Sequence, residues 1–518
     1  MAELLPPAMI ETMTAAADWV VVLPLVLCLM GAAATLMLRR SGGLTFVFSL
    51  LILIAVIACE VTLLLRVVDS GPLAMTMGKW LPPFGISLTA DIFGAGFALA
   101  AAVVTLVVLI YAQGERGDAD GRDGFHSMVL LLLAGVTGSF LTGDLFNLYV
   151  WFEVMLIASF GLIVLGGSPA QLDGAVKYGF LNFLATSFFL LALGLLYGLL
   201  GTLNMADILR VAPAANPAAM AGVAALLLLA FGMKAAAFPV NAWLPAAYHT
   251  PPAVISALFA GLLTKVGVYA MLRSLVVLLP GSRDLLEPVL VAIALATLLI
   301  APLGAIAETN LRRAIGFLVI GGVGSVLAGI AIPSLAGVSG AGLYVFHAIL
   351  TMTALYLVAG LVERQTGETD TRRMGGLYAA SAPVSILFLA LVLATAGVPP
   401  FLGFWPKLLL LQAGLAEAGW SGGLVAAALI LNAILTLIAG SRLWAHIFWR
   451  SAPTETVVTV ASRQGEWFRL GATGALVAVV VAAGLWPNSL FEALRLGAPD
   501  LLDPARYVAA VGLAGGSP

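Results

Sequence analysis

Charge is scarce in this chain. Asp, Glu, Lys and Arg make up 10 % of its 518 residues and hydrophobic side chains 62 %, whereas a soluble protein carries about 25 % charged residues. That excludes an ordinary soluble domain and leaves a polytopic membrane protein. Cysteine is as sparse: Cys28 and Cys59, both in apolar stretches, give no disulfide framework and no metal-ligand spacing. A net charge of −2 offers no basis for nucleic-acid binding or a polybasic surface. No Walker motif, dinucleotide fingerprint, zinc spacing or Ser/His/Asp arrangement occurs, so neither cofactor nor metal is expected. The opening MAELLPPAMIETM is acidic and the first apolar run starts near Asp18, which argues against a cleaved signal peptide.

Against that background the positions of the lysines stand out. There are five, and three lie inside long apolar runs: Lys234 in LLLLAFGMKAAAF, Lys265 in ALFAGLLTKVGVYAML and Lys407 in PPFLGFWPKLLLLQAGL. Glu153 (LYVWFEVMLIASF) and His347 (GLYVFHAILTM) are placed the same way. An ionisable group at membrane depth costs ~2.5–3.5 kcal/mol on insertion scales, so each is a functional-site hypothesis by default. A series of them along the membrane interior points to a proton path.

A span needs ~20 mostly apolar residues. About 14 segments qualify, near 19–38, 44–67, 88–112, 127–143, 146–166, 175–200, 219–240, 252–280, 286–307, 312–335, 340–362, 380–412, 422–448 and 468–488. All are expected to be helices, because lipid offers backbone groups no partners and no barrel-like alternation is visible. Arg39, Arg40, Arg116, Arg122, Lys177, Arg312, Arg313, Arg364, Arg372, Arg373, Arg442, Arg450 and Arg463 then fall on one side. The positive-inside rule makes that side cytoplasmic and turns both termini outward. The segments 114–124 and 363–376 read as loops, and the tail after 488 holds at most a small interfacial helix, LFEALRL.

Two spans carry unusual proline. Lys234 precedes Pro239, Pro245, Pro251 and Pro252, whereas Pro399, Pro400, Gly403 and Pro406 precede Lys407. Proline inside a helix removes a hydrogen bond and clashes with the preceding turn, and such breaks survive in a membrane only against protein or a water-filled cavity. Paired breaks in corresponding halves point to a transporter site. The expected organisation is helices 1–3 over residues 1–125, a five-helix repeat over 126–280, an inverted second repeat over 281–450, and a last helix and tail over 451–518. The plain alternative is an ordinary kink with a snorkelling lysine.

The titratable groups differ in what they can do. Glu153 lies too deep to snorkel easily; Lys234 is its expected partner, in a switching pair or a structural one. Lys265 falls close to mid-membrane, where a lysine can trade its proton near neutral pH. Lys407 has no acidic neighbour in sequence and reads as the terminal donor or acceptor. His347 titrates near neutrality unaided, or is a hydrogen-bonding packer. Asp144 (TGDLFNLYV) is a helix cap or an ion-access carboxylate. His249 (AYHTPP) links the path to the cytoplasm or is a plain loop residue. Glu60 and His446 read as structural.

At these residues the chain resembles the antiporter-like membrane subunits shared by Mrp-type multisubunit Na+/H+ antiporters, respiratory complex I and membrane-bound hydrogenases. The resemblance spans essentially the whole chain and rests on GDLFNLYVWFEVMLIASFGLIVL, FGMKAAAFPVNAWLPAAYHTPPAVISALFAGLLTKVGVYAMLR and GVPPFLGFWPKLLLLQAGL. It implies that the family's span-five glutamate, span-seven and span-eight lysines, span-eleven histidine and span-twelve charged residue fall on Glu153, Lys234, Lys265, His347 and Lys407. Within the family it is most similar to the Mrp branch: span twelve carries lysine, and the chain ends soon after span fourteen. The resemblance implies a proton-translocating subunit of a Na+/proton antiporter rather than an enzyme. It also implies a multi-pass place in the bacterial cell membrane and partners of the Mrp A, B, C, E, F and G type, with the partners carrying or coupling sodium. The alternatives are a redox-driven pump subunit of complex I or a hydrogenase, and a non-conducting scaffold.

Overall fold

The computed structural model describes residues 15–115, 124–451 and 465–513; Arg116, Arg122 and Arg463 lie outside the described residues. The fold is a bundle of helices: α1 Leu23–Met37, α2 Gly42–Ser70, α3 Ile92–Glu115, α4 Phe125–Leu141, α5 Leu145–Ile163, α6 Pro169–Leu200, α7 Met205–Val211, α8 Pro217–Ala235, α9 Trp243–Tyr248, α10 Ala253–Met271, α11 Pro280–Leu285, α12 Glu287–Ala307, α13 Leu311–Ala331, α14 Leu335–Thr366, α15 Ala382–Ala396, α16 Phe404–Ala416, α17 Trp420–Trp444, α18 Glu466–Leu485, α19 Asn488–Leu502 and α20 Ala505–Ala510. Among the described residues 11 helices are long and apolar enough to cross a membrane, and the shorter apolar helices α1, α4 and α15 occupy three more of the expected spans.

The helix ends follow the sequence. Proline opens α6 and α8, where its missing N–H is no loss. Ser168 and Gln171 cap each other in a capping box. Asn204, Asn216, Asn310 and Ser334 accept from the first free N–H groups of α7, α8, α13 and α14. The helices apolar all round, α10, α13 and α14, are buried almost throughout, as such helices must be. They form the centre of the bundle. The remaining helices ring them and turn wide apolar faces outward, α2 and α6 most of all.

Three features outside the spans go beyond what the sequence suggests. An antiparallel hairpin, β1 Leu73–Thr76 with β2 Ser87–Ala90, joins α2 to α3. The chain does not leave the bundle after α18: α19 and α20 fold back onto it and bury Leu494, Leu501 and Tyr507, more than the single interfacial helix expected. Several of the arginines assigned to one side meet at one end of the bundle. There Arg442 Nη1 donates to Ile306 O at 2.6 Å, Arg450 Nη1 donates to Arg372 O at 3.1 Å, and Arg312 and Arg313 pair with Glu363 and Glu308. The opposite end has its own arginines, Arg66, Arg210, Arg283, Arg495 and Arg506, each beside a local carboxylate.

Candidate functional site

Both expected breaks exist, and each is closed by side chains. Helix α8 ends at Ala235, one residue past Lys234, with Ala236 in the left-handed region (φ 60°). The freed backbone is satisfied locally: Trp243 Nε1 donates to Met233 O at 3.0 Å, and Phe238 N donates to Thr297 Oγ1 of α12 at 3.1 Å. Helix α15 ends at Ala396, with Gly397 left-handed (φ 86°). Here the closing group is charged. Lys407, early in α16, donates to Thr395 O at 3.1 Å, Ala396 O at 2.9 Å and Asn432 Oδ1 at 3.5 Å. Three acceptors match the three N–H groups of an ammonium, and two of them are carbonyls at a helix C-terminus, which favours cations.

Four of the five expected residues, Lys234, Lys265, His347 and Lys407, follow one another through packed neighbours. Lys234 Nζ lies 4.7 Å from the centre of the Phe152 ring, and that ring packs on Phe231 and Phe189. Next to Lys234, the Ala235 backbone presses on Gly267, two residues past Lys265: a Cβ on that glycine would meet Ala235 N at 3.0 Å. Lys265 Nζ donates to Ala260 O and, at 3.2 Å, to Thr264 Oγ1. Lys265 and Tyr344 line one small cavity, with room for the centre of a water-sized sphere over about 10 Å³, the size at which a single water fits. The Tyr344 ring meets His347 edge-on, 5.4 Å between centroids. His347 bonds Thr351 Oγ1 through Nδ1 at 3.1 Å, while its Nε2 is buried without a partner. Its Cε1 faces Gly403 across 2.9 Å from where a Cβ would stand, and Lys407 Cδ faces Gly397 in the same way. The second break therefore lies between histidine and lysine.

One expected contact is missing. Among the described residues no ion pair joins Glu153 to Lys234, and Glu153 Oε1 is buried without a hydrogen bond. Phe152 stands directly against Lys234, and Glu153 acts on the lysine as a nearby charge without a direct bond.

Residues 142–436 match the family described as NADH:quinone oxidoreductase/Mrp antiporter, TM. The chain belongs to that family. The matched segment holds Glu153, Lys234, Lys265, His347 and Lys407. The chain is 33 % identical over 492 residues to the Na(+)/H(+) antiporter D subunit of Bacillus subtilis (95 % of this chain, 99 % of that one). It is 32 % identical over 492 residues to the corresponding protein of Alkalihalophilus pseudofirmus, with the same coverage. A chain of the Mrp complex from Dietzia sp. DQ12-45-1b superposes with a TM-score of 0.88 at 27 % identity, covering 97 % of this chain and 100 % of that one.

In this Mrp/NADH:quinone oxidoreductase family member the two secondary candidates take structural positions. Asp144 is the N-cap of α5 and accepts from Asn147 N at 2.8 Å. Asp144→Ala is expected to cost about 1 kcal/mol of stability, read as a lower melting temperature, with exchange retained. His249 Nδ1 donates to Pro245 O at 2.8 Å. Burial, with Arg313 and Arg312 nearby, holds its imidazole below the ordinary histidine range, so it is neutral at pH 7. A histidine whose folded pKa is depressed costs stability as pH falls below its unfolded value, about 6.5. His249→Gln is therefore expected to keep most of the exchange at neutral pH and to lessen acid destabilisation, measured by melting between pH 5 and pH 7.

Three further groups emerge only from the fold. Asp91 and Arg273 form an ion pair with 4 % and 3 % of their side chains exposed. Arg273 also donates to Tyr269 Oη at 3.1 Å and lies 5.0 Å from the Tyr507 ring. Asn432 sits at the second break. At the arginine-rich end, a pocket of about 320 Å³ is lined by Tyr111, Arg312, Glu363, Arg364 and Arg469 among others. Buried charge and amide in apolar runs were the available signals, and the rule used for the lysines applies to them equally.

Proposed function

We propose that this chain is the proton-translocating D subunit of a multisubunit Mrp-type Na+/H+ antiporter, a transporter subunit of the bacterial cell membrane rather than an enzyme. Protons pass along Glu153, Lys234, Lys265, His347 and Lys407. The observation that carries this reading is the row of buried titratable side chains Lys234, Lys265, His347 and Lys407, which runs through two helix breaks with half-buried Glu153 near its start. The acceptors around the three lysines increase along it: a ring face at Lys234, two oxygens at Lys265 and three at Lys407. Of the three lysines, Lys407 thus accommodates an ammonium best. Partner subunits of the A, B, C, E, F and G type complete the assembly and carry or couple sodium. The division into two inverted five-helix repeats, 126–280 and 281–450, gives each repeat one break and one break lysine. The arginine-rich end faces the cytoplasm and both termini face outward. The 320 Å³ pocket then opens to the cytoplasm.

The test is sodium-dependent dissipation of a pH gradient in everted vesicles of antiporter-deficient cells expressing the complete operon, with assembly checked. Wild type is expected to exchange, and assembled Lys234→Ala is not. Equal exchange by both makes this subunit a scaffold, and exchange by neither turns the assignment toward a redox-driven complex.

A further inference from the structure

Asn432 lies in the middle of α17, in ALILNAILTL, and is 2 % exposed. A buried amide is costly unless both its ends are bonded. Its partner at one end exists because of a proline. Pro302 interrupts α12 and has no N–H to donate, so the carbonyl four residues earlier, Leu298 O, lacks a helical partner. Asn432 Nδ2 fills that place, donating to Leu298 O at 2.8 Å. At the other end Asn432 Oδ1 accepts from Lys407 Nζ at 3.5 Å. Chemistry fixes the orientation: turned over, the amide would set NH2 against an ammonium and oxygen against a carbonyl. Gly321 of α13 leaves the space, since a Cβ there would stand 3.3 Å from Asn432 Nδ2. The same turn of α12 reaches the first break too, where Thr297 Oγ1 accepts from Phe238 N at 3.1 Å.

We propose that Asn432 is the positioning residue for Lys407, seated on the carbonyl that Pro302 leaves free, and that this link sets the pH range over which the second break exchanges its proton. The inference rests on the proposed function. The titratable group facing Lys407 is His347 of α14, across Gly403. Among the described residues α12, α13, α15 and α17 bring no charged side chain to that depth. The amide oxygen is thus the adjustable part of the lysine's surroundings.

The experiment is the initial rate of sodium-dependent exchange against pH for the assembled complex in everted vesicles. Asn432→Leu is expected to slow exchange about tenfold, the loss of one hydrogen bond to a charged group, and to move the alkaline limb about one pH unit lower. Asn432→Asp moves that limb higher. Pro302→Ala returns an N–H to Leu298 O and unseats the amide, so it shifts the profile in the same direction as Asn432→Leu, and the double variant adds nothing further. A role confined to packing predicts the opposite for Pro302→Ala: a sturdier α12 and an unmoved profile. An unmoved profile for Asn432→Leu, or additive shifts in the double variant, overturns the inference. Should Asn432→Leu fail to assemble, Pro302→Ala alone decides by the same criterion. Lys407→Ala in the same vesicles separates the two levels. If it abolishes exchange while the Asn432 and Pro302 variants match wild type, the link is wrong and the proton row stands. If it exchanges like wild type, both fail.

Discussion

Lys265→Met is expected to give an assembled complex that has lost exchange and is more stable than wild type. The side chain lies in the middle of α10, the most enclosed helix of the bundle, and is 4 % exposed. Its ammonium has two oxygen acceptors, Ala260 O and Thr264 Oγ1, one short of its three donors. Among the described residues no ion pair neutralises it. A lysine at the centre of a span costs ~2.5–3.5 kcal/mol, so methionine, which fills the same volume without charge, should return much of that. On the proposed row exchange should fall at least about a hundredfold, because no neighbouring group would take the lysine's place between Lys234 and His347. Melting of the purified complex and vesicle exchange check the two halves. A variant that melts earlier and still exchanges would show that the lysine holds helices together and carries no proton.

The second large effect concerns stability alone. Asp91→Ala strands Arg273 in the interior, with its Tyr269 bond and the Tyr507 ring but no counter-charge. Removing one member of a buried pair costs about 3–5 kcal/mol, whereas replacing both by apolar residues of similar volume is often neutral. Asp91→Ala and Arg273→Met are therefore expected to lower the yield of assembled complex sharply, and Asp91→Leu with Arg273→Met together to recover most of it. Native-gel assembly and melting temperature give the readout. Recovery absent from the double variant would mean that the hairpin end needs the charges themselves.

The sequence carried the broken helices, because proline and glycine act on the backbone directly and need no knowledge of neighbours. Loop charge is likewise read one segment at a time, so assigning the arginines to one side needs no knowledge of contacts. Contacts across helices were harder. Glu153 and Lys234 are the natural partners by charge and depth, yet which face of α5 meets α8 is a rotation that the apolar run 145–163 leaves undetermined: nearly every position there suits either lipid or protein. Phe152 stands against the lysine, and the carboxylate acts on it as a nearby charge without a direct bond. Asn432 was legible in kind, as a polar group at membrane depth. Its partner was not, because the need for it arises at Pro302, over a hundred residues away and on another helix. Asp91 escaped because it directly precedes a helix, where an acidic residue normally reads as a cap; it does bond Gly94 N at 2.7 Å, and the ion pair is additional.

The clasp around Arg273 also bears on how the chain is made. Tyr507 Oη bonds Thr89 Oγ1 at 2.9 Å across 418 residues, next to the Asp91–Arg273 pair. At about 5–20 residues per second, roughly 20–80 s separate the synthesis of these two residues. The amino-terminal helices are therefore synthesised while the clasp is still open, and it closes only once Tyr507 has reached the bundle. Shortening the chain before Tyr507 should leave insertion intact and stop maturation at an unlocked bundle, the species that membrane quality control would encounter.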